Sequence, residues 1–252
     1  MMRLANKIAL ITGAGSGMGR TTAVLFASEG AKVAVADISE KGVDETVAEI
    51  KANGGQAIGL RADVSSTEDV QRMVAATVER LGPPTVLYNN AGIEGESAYL
   101  SKMPEAAFDQ VIAINLRGVF LGMKYAIPHM IKAGGGSIIN QASIAGLIGI
   151  RGGAGYAAAK AGVIAMTRVA AVENGRYNIR VNCICPGAIE TPMAVRIRKG
   201  AEPRPQAINR ISVLERMGRP EEIARMALFL ASDEGSFATG APFIVDGGWT
   251  IL

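Results

Sequence analysis

Short apolar runs alternate along the chain with longer stretches whose apolar residues recur every three or four positions. Lys7–Thr12 is the first such run. A glycine-rich turn follows it, and then a helical pattern reaches to about Glu29. Lys32–Asp37, Gln56–Ala62, Val86–Asn89, Ser137–Gln141, Arg180–Cys185 and Phe243–Val245 repeat the first kind of segment. Lys41–Asn53, Thr67–Leu81, Glu105–Lys132, Gly155–Glu173 and Pro220–Ala231 repeat the second. Short runs of this kind have the length of strands, and strand–helix units in series predict an α/β fold with a parallel, doubly wound sheet. No linker, repeat or low-complexity stretch divides the pattern, so residues 1–252 read as a single domain. One segment, about 188–219, breaks the rhythm: it holds Glu190-Thr-Pro-Met and a Pro/Arg-containing stretch. A long irregular insertion in a compact domain reads as a lid over a site, with a surface loop as the alternative.

Composition narrows the class. Of the 252 residues, 49% are hydrophobic and 19% charged, which fits a globular chain with a large core and excludes a disordered one. A net charge of +3, without a Lys/Arg run, gives no footprint for nucleic acid. The apolar stretches read as too short for a membrane span, and the N-terminal run as too short for a signal peptide, so the expected location is cytoplasmic. Cys183 and Cys185, two apart on a strand, read as buried reduced thiols. Nothing else in the chain supplies a metal-ligand spacing, so no metal is expected. His129 is the only histidine, which argues against a Ser-His hydrolase or a zinc-dependent chemistry.

Thr12-Gly-Ala-Gly-Ser-Gly-Met-Gly19 lies where the first strand turns into the first helix. Without side chains at Gly13, Gly15, Gly17 and Gly19, backbone can approach a pyrophosphate, and its charge suits the helix N-terminus that Ser16, Gly17 and Met18 open. Asp37 ends the second strand, where a carboxylate bonds ribose hydroxyls and repels a 2′-phosphate. Neither Ile38 nor Ser16 supplies a cation for such a phosphate, so NAD is expected over NADP. Asp63 and Val64, after the third strand, fall near the adenine by the same topology.

Tyr156 and Lys160 stand four residues apart on a helical segment, so phenol and ammonium share a face. A free phenol titrates near pH ~10, and a fixed cation beside it lowers that value. Tyr156 therefore reads as a general acid/base and Lys160 as its tuner. Beside a dinucleotide-type glycine turn, the pair points to hydride transfer.

These motifs together resemble the short-chain dehydrogenase/reductase family over essentially the full length. The matching landmarks are Thr12–Gly19, Asp37, Asp63-Val64, Asn89-Asn-Ala-Gly92, Asn115, Ser143, Tyr156-x-x-x-Lys160, Pro186-Gly187 and Val245-Asp-Gly-Gly-Trp249. The resemblance implies a Rossmann-type sheet of about seven parallel strands, catalysis without metal, and hydride exchange between NAD(P) and an alcohol or carbonyl. It assigns Tyr156 as acid/base, Lys160 to the tyrosine and the nicotinamide ribose, Ser143 to the substrate oxygen, and Asn115 to a helix irregularity that supports a water linked to Lys160. Asn89, Asn90, Ala91 and Gly92 would lie along the cofactor, and Pro186, Gly187, Ile189 and Thr191 at its nicotinamide end. The chain departs from the family at Pro83-Pro-Thr-Val-Leu-Tyr88, where an Asp and a small aliphatic are common.

Glu94, Ala145, Ile93, Ile144, Leu147, Gly153 and Ala188 are pocket candidates by topology. They are mostly apolar, which suits a medium-sized, largely uncharged alcohol or ketone. Arg196, Arg198, Lys199, Arg204 and Arg210 in the lid read as solvated charges, with attraction of an acidic substrate as the alternative. A 3-oxoacyl carrier-protein reductase is the alternative enzyme, against which Asp37 argues. An idle NAD-binding sensor or scaffold is a third reading, against which the intact Asn115, Ser143, Tyr156 and Lys160 argue. Alanines crowding the Tyr156 helix and the apolar Trp249-Thr-Ile-Leu252 ending predict a homo-oligomer, and the resemblance implies a homotetramer.

Overall fold

The computed structural model describes residues 2–195 and 212–252. Seven parallel strands form one sheet in the order β3-β2-β1-β4-β5-β6-β7. The strands are β1 (Ile8–Thr12), β2 (Lys32–Asp37), β3 (Gln56–Arg61), β4 (Val86–Asn89), β5 (Gly136–Gln141), β6 (Ile179–Pro186) and β7 (Pro242–Val245). The helices between them are α1 (Gly17–Ser28), α2 (Glu40–Ala52), α3 (Thr67–Leu81), α4 (Glu105–Ile112), α5 (Gly118–Lys132), α6 (Ala154–Asn174) and α7 (Pro220–Ala231). Each strand and helix predicted from the pattern occurs, with ends shifted by a residue or two.

Central strands are apolar on both faces because helices cover both. Ile11, Val35, Tyr88, Ile139 and Ile184 pack with α1, α2 and α7, with Phe26 of α1 at the centre. Leu10, Ala34, Leu87, Ile138, Cys183 and Cys185 pack with α3, α5 and α6. Such strands read as continuous apolar runs rather than as alternation. Both cysteines are free and buried.

The chain winds outward from β1 to β3, then returns and winds the other way from β4 to β7. A doubly wound sheet binds its ligand at that reversal, beyond the carboxyl ends of β1 and β4. The predicted helix over Glu105–Lys132 is continuous but carries a π turn at Ala113–Arg117 between α4 and α5. This 28-residue run is long and apolar enough to cross a membrane by length and composition, contrary to the sequence expectation. Of its most apolar 18-residue window, 44% is buried in the fold. The lid cations Arg196, Arg198, Lys199, Arg204 and Arg210 lie outside the described residues.

Candidate active site

The glycine turn is shaped by contacts that exclude side chains. A Cβ on Gly19 would stand 2.1 Å from the Gly13 carbonyl oxygen, and one on Gly13 would stand 2.7 Å from Ala91 Cα. Gly13 also holds φ +63°, the left-handed region glycine favours. Asn90 locks the turn from β4: its amide donates to Thr12 O (3.0 Å) and Gly13 O (3.1 Å). Helix α1 starts at this turn with no side-chain cap from Ser16 and no acidic residue in its first turn. Its first N–H groups and positive dipole end are therefore free for a pyrophosphate, and a nicotinamide dinucleotide fits the cradle.

Asp37 accepts from Gly15 N and Ser39 N, both at 2.9 Å, so its carboxylate stands at the glycine turn. Sequence reasoning missed Arg20. Its guanidinium donates to Gly15 O (2.5 Å) and Glu45 (2.7 Å), so Asp37 and Arg20 hold the same residue by its N–H and its carbonyl. A cation one helical turn beyond Gly17 was the available signal. Asp63 folds back to accept from Ser65 N (2.8 Å) and Ser65 Oγ (2.7 Å), and Val64 packs where a Cβ on Gly118 would fall. Asn89 was expected along the cofactor. Its amide is instead buried and donates to Asn140 Oδ1 (2.9 Å), because β4 turns it into the layer beneath α5.

At the other end, Pro186 closes β6 and Gly187 N bonds Val245 O at 3.1 Å. Ile189 is buried, and Thr191 lies 3.6 Å from the Cβ position of Gly17, so this loop reaches back over the glycine turn.

Lys160 is 3% exposed, and its Nζ donates to the carbonyl of Gln141 at 2.7 Å. It lies 5.5 Å from the Tyr156 ring centroid. Gly92 joins the centre to the turn: a Cβ there would stand 3.1 Å from Asn115 Oδ1 and 3.6 Å from Lys160 Nζ. The π turn aims Asn115 at Ile93, whose N–H donates to Oδ1 (2.9 Å) and whose carbonyl accepts from Nδ2 (2.8 Å). Ser143 Oγ accepts from Ala145 N at 3.1 Å and stands close enough to Tyr156 to lower its pKa. Glu94 is close enough for its charge to act on Tyr156.

The expected lowering of the Tyr156 pKa by Lys160 does not occur in this structure. Burial pushes the phenol up, and Glu94 adds to the rise against the opposing influence of the Ser143 hydroxyl. Lys160 is itself pushed down to about 8 by burial. Its ammonium points at the Gln141 carbonyl rather than at the phenol oxygen, so it holds the ring's side and not the proton.

The arrangement is that of an oxidoreductase using a nicotinamide dinucleotide. The family model described as enoyl-(acyl carrier protein) reductase matches residues 13–250. The chain is 42% identical to cyclohexanol dehydrogenase from Acinetobacter sp. (strain SE19), covering 97% of this chain and 95% of the relative. It is 45% identical to 3-oxoacyl-[acyl-carrier-protein] reductase FabG from Thermotoga maritima, covering 99% and 100%. The crystal structure of levodione reductase superposes with a TM-score of 0.96 at 41% identity, covering 99% of this chain and all of that one. The chain belongs to the short-chain dehydrogenase/reductase family, whose members named here interconvert alcohols and carbonyls.

Proposed function

We propose that this single-domain protein is an NAD-dependent dehydrogenase that interconverts a largely apolar secondary alcohol, such as a cyclic alcohol or diol, and its ketone. The observation that carries this is the meeting of Tyr156, Ser143 and Lys160 beside Gly92 and the glycine turn. The dinucleotide supplies or accepts the hydride. Tyr156 gives its phenolic proton to the oxygen in reduction and takes one in oxidation, and Ser143 hydrogen-bonds that oxygen. Lys160, its ammonium held on the Gln141 carbonyl beside the tyrosine ring, would bond the nicotinamide ribose. Asn115 holds Ile93 and, with it, the strand-end wall next to Lys160.

Gly17, Met18 and Gly19 would hold the pyrophosphate, Asp63 and Val64 the adenine side, Asn90, Ala91 and Gly92 the centre, and Pro186, Gly187, Ile189 and Thr191 the nicotinamide. Asp37 supports NAD over NADP. Among the described residues, Arg20 at the turn is occupied by Glu45 and the Gly15 carbonyl. Ala145 and Glu94 line the substrate side. Ala98 N bonds Gly152 O, and the two segments so joined carry the exposed apolar residues Tyr99, Leu100, Leu147 and Ile150. Relatives that include 2,5-dichloro-2,5-cyclohexadiene-1,4-diol dehydrogenase, 41% identical, suit such a substrate.

The outer side of α6 exposes Ala158, Ala161, Ala165, Val169 and Val172, and the C-terminal Ile251 and Leu252 are also exposed. These apolar surfaces support a homotetramer, and the free thiols support a cytoplasmic protein. The deciding experiment is a panel of cyclic and linear alcohols and ketones, including an acetoacetyl thioester, run with NAD(H) and NADP(H) in parallel. Activity confined to the thioester with NADPH would replace this reading with a 3-oxoacyl reductase.

A further inference from the structure

Tyr88 is wholly buried on β4, and its hydroxyl donates to Oε1 of Gln141 on β5. Tyr88 stands opposite Ile139 in the ladder, so Gln141, two residues on, presents its side chain to the same face. That face is covered by α1 and α7, since Tyr88 and Ile139 belong to the core beneath those helices. Lys160 stands on the opposite face, on α6. Both sides meet at one residue, because the Gln141 carbonyl accepts from Lys160 Nζ.

That carbonyl is available for a structural reason. Ser137 N donates to Thr85 on the β4 side, and Ala142 N donates to Ile184 on the β6 side. By alternation, the backbone groups of Gln141 are directed towards β4. The β4–β5 ladder stops at Asn89 and Asn140, however, and the next N–H groups, of Asn90 and Ala91, turn to Thr12 Oγ1 at 3.1 Å each. The Gln141 carbonyl is thus a ladder acceptor beyond the end of its neighbouring strand, and the ammonium takes the missing place. Past that point, β4 is tied to Gln141 by the Tyr88 phenol.

We propose that Tyr88 and Gln141 are a positioning pair for Lys160: the phenol, on the face of the sheet remote from the site, holds Gln141 and with it the carbonyl that anchors the ammonium. The proposal rests on the reading of Lys160 as part of a hydride-transfer site. The Tyr88 phenol acts on Lys160 through Gln141. The titratable groups facing Lys160 are Tyr156 on its own helix and the Cys185 thiol on β6. Burial already holds the ammonium down at about 8. A carbonyl acceptor favours its charged form, so a loosened carbonyl lowers that value further.

Tyr88→Phe keeps the ring and removes only the hydroxyl. In protein labelled with 13C at lysine Cε, the Lys160 titration midpoint followed by NMR should fall relative to wild type. In turnover, kcat for alcohol oxidation should fall about tenfold, the rate equivalent of one hydrogen bond. The KM for NAD should hold, and the alkaline limb of the kcat profile should move to lower pH. Gln141→Leu should reproduce these changes, and the double variant should be no worse than either single one, because all remove the same bond. A variant that melts earlier yet keeps the wild-type Lys160 midpoint and pH profile overturns the proposal, since the bond is then only structural. If Tyr88→Phe does not fold, Gln141→Leu decides on the same readouts. A wild type inactive across the alcohol and ketone panel sinks the hydride-transfer reading instead, while the NMR midpoint still decides whether the pair positions Lys160.

Discussion

Lys160→Met replaces a buried ammonium by an unbranched apolar chain of similar length, and the structure sets the sign of its effect on stability. Burial carries this group from an ordinary 10.5 down to about 8. At about 1.36 kcal/mol per pH unit, the charged form is disfavoured by about 3 kcal/mol at neutral pH. Methionine removes that cost but leaves the Gln141 carbonyl without its donor, a loss of about 1–2 kcal/mol. The variant should therefore be the more stable by about 1–2 kcal/mol at pH 7, raising Tm by about 4 °C for a chain of this size. The folded-state pKa lies below the unfolded one, so between about pH 8 and 10.5 the unfolded chain binds the extra proton. Wild-type stability climbs with pH across that window, and the variant lacks this climb. By pH 9.5 the difference should close, because wild type recovers about 2 kcal/mol on the way. Urea unfolding without dinucleotide, at fixed protein concentration, measures both pH values. A variant less stable at pH 7 by an amount that does not change to pH 9.5 would refute the reasoning. The same variant should have lost alcohol oxidation, so the lysine would be a stability cost carried for chemistry.

Four further outcomes are expected. Tyr156→Phe keeps the ring and loses the proton, so kcat should fall about 10²–10⁴-fold while NADH binding, followed by fluorescence, persists. Because burial raises the Tyr156 pKa, the phenol stays protonated through neutrality; oxidation should climb towards alkaline pH and reduction should run best at or below neutrality, read from paired pH–rate profiles. Asp37→Ala should lower the NAD over NADP ratio of kcat/KM by at least about tenfold, one lost charged contact, and an unchanged ratio would remove Asp37 from cofactor choice. Light scattering at micromolar concentration should give four times the chain mass; a monomer would leave the α6 stripe and the C-terminal residues without a partner.

The legible parts of the site are those whose partners are near in sequence. The turn from Gly13 to Gly19 announces itself because side chains cannot fit there, and the structure supplies the blocking atoms, Gly13 O and Ala91 Cα. Tyr156 and Lys160 lie one helical turn apart, so their common face follows from spacing alone. The direction of the tyrosine's pKa did not follow. It depends on burial, on Glu94 and on where the ammonium points, and the last is set by Gln141, nineteen positions upstream.

Periodicity by itself determined the strands and helices, the order in which they come, and the single glycine turn at the start. Those are local properties, decided by backbone repeat and by which residues tolerate a bend. The tertiary structure decided everything that depends on which strands become neighbours. It turned the Asn89 side chain to Asn140, and brought Arg20 onto Gly15. It also ended β4 one residue short of Gln141, leaving a carbonyl for Lys160. A side chain's alternation along its own strand says nothing about where the adjacent strand stops. That register is set by the packing of helices on both faces, and the position of the ammonium follows from it.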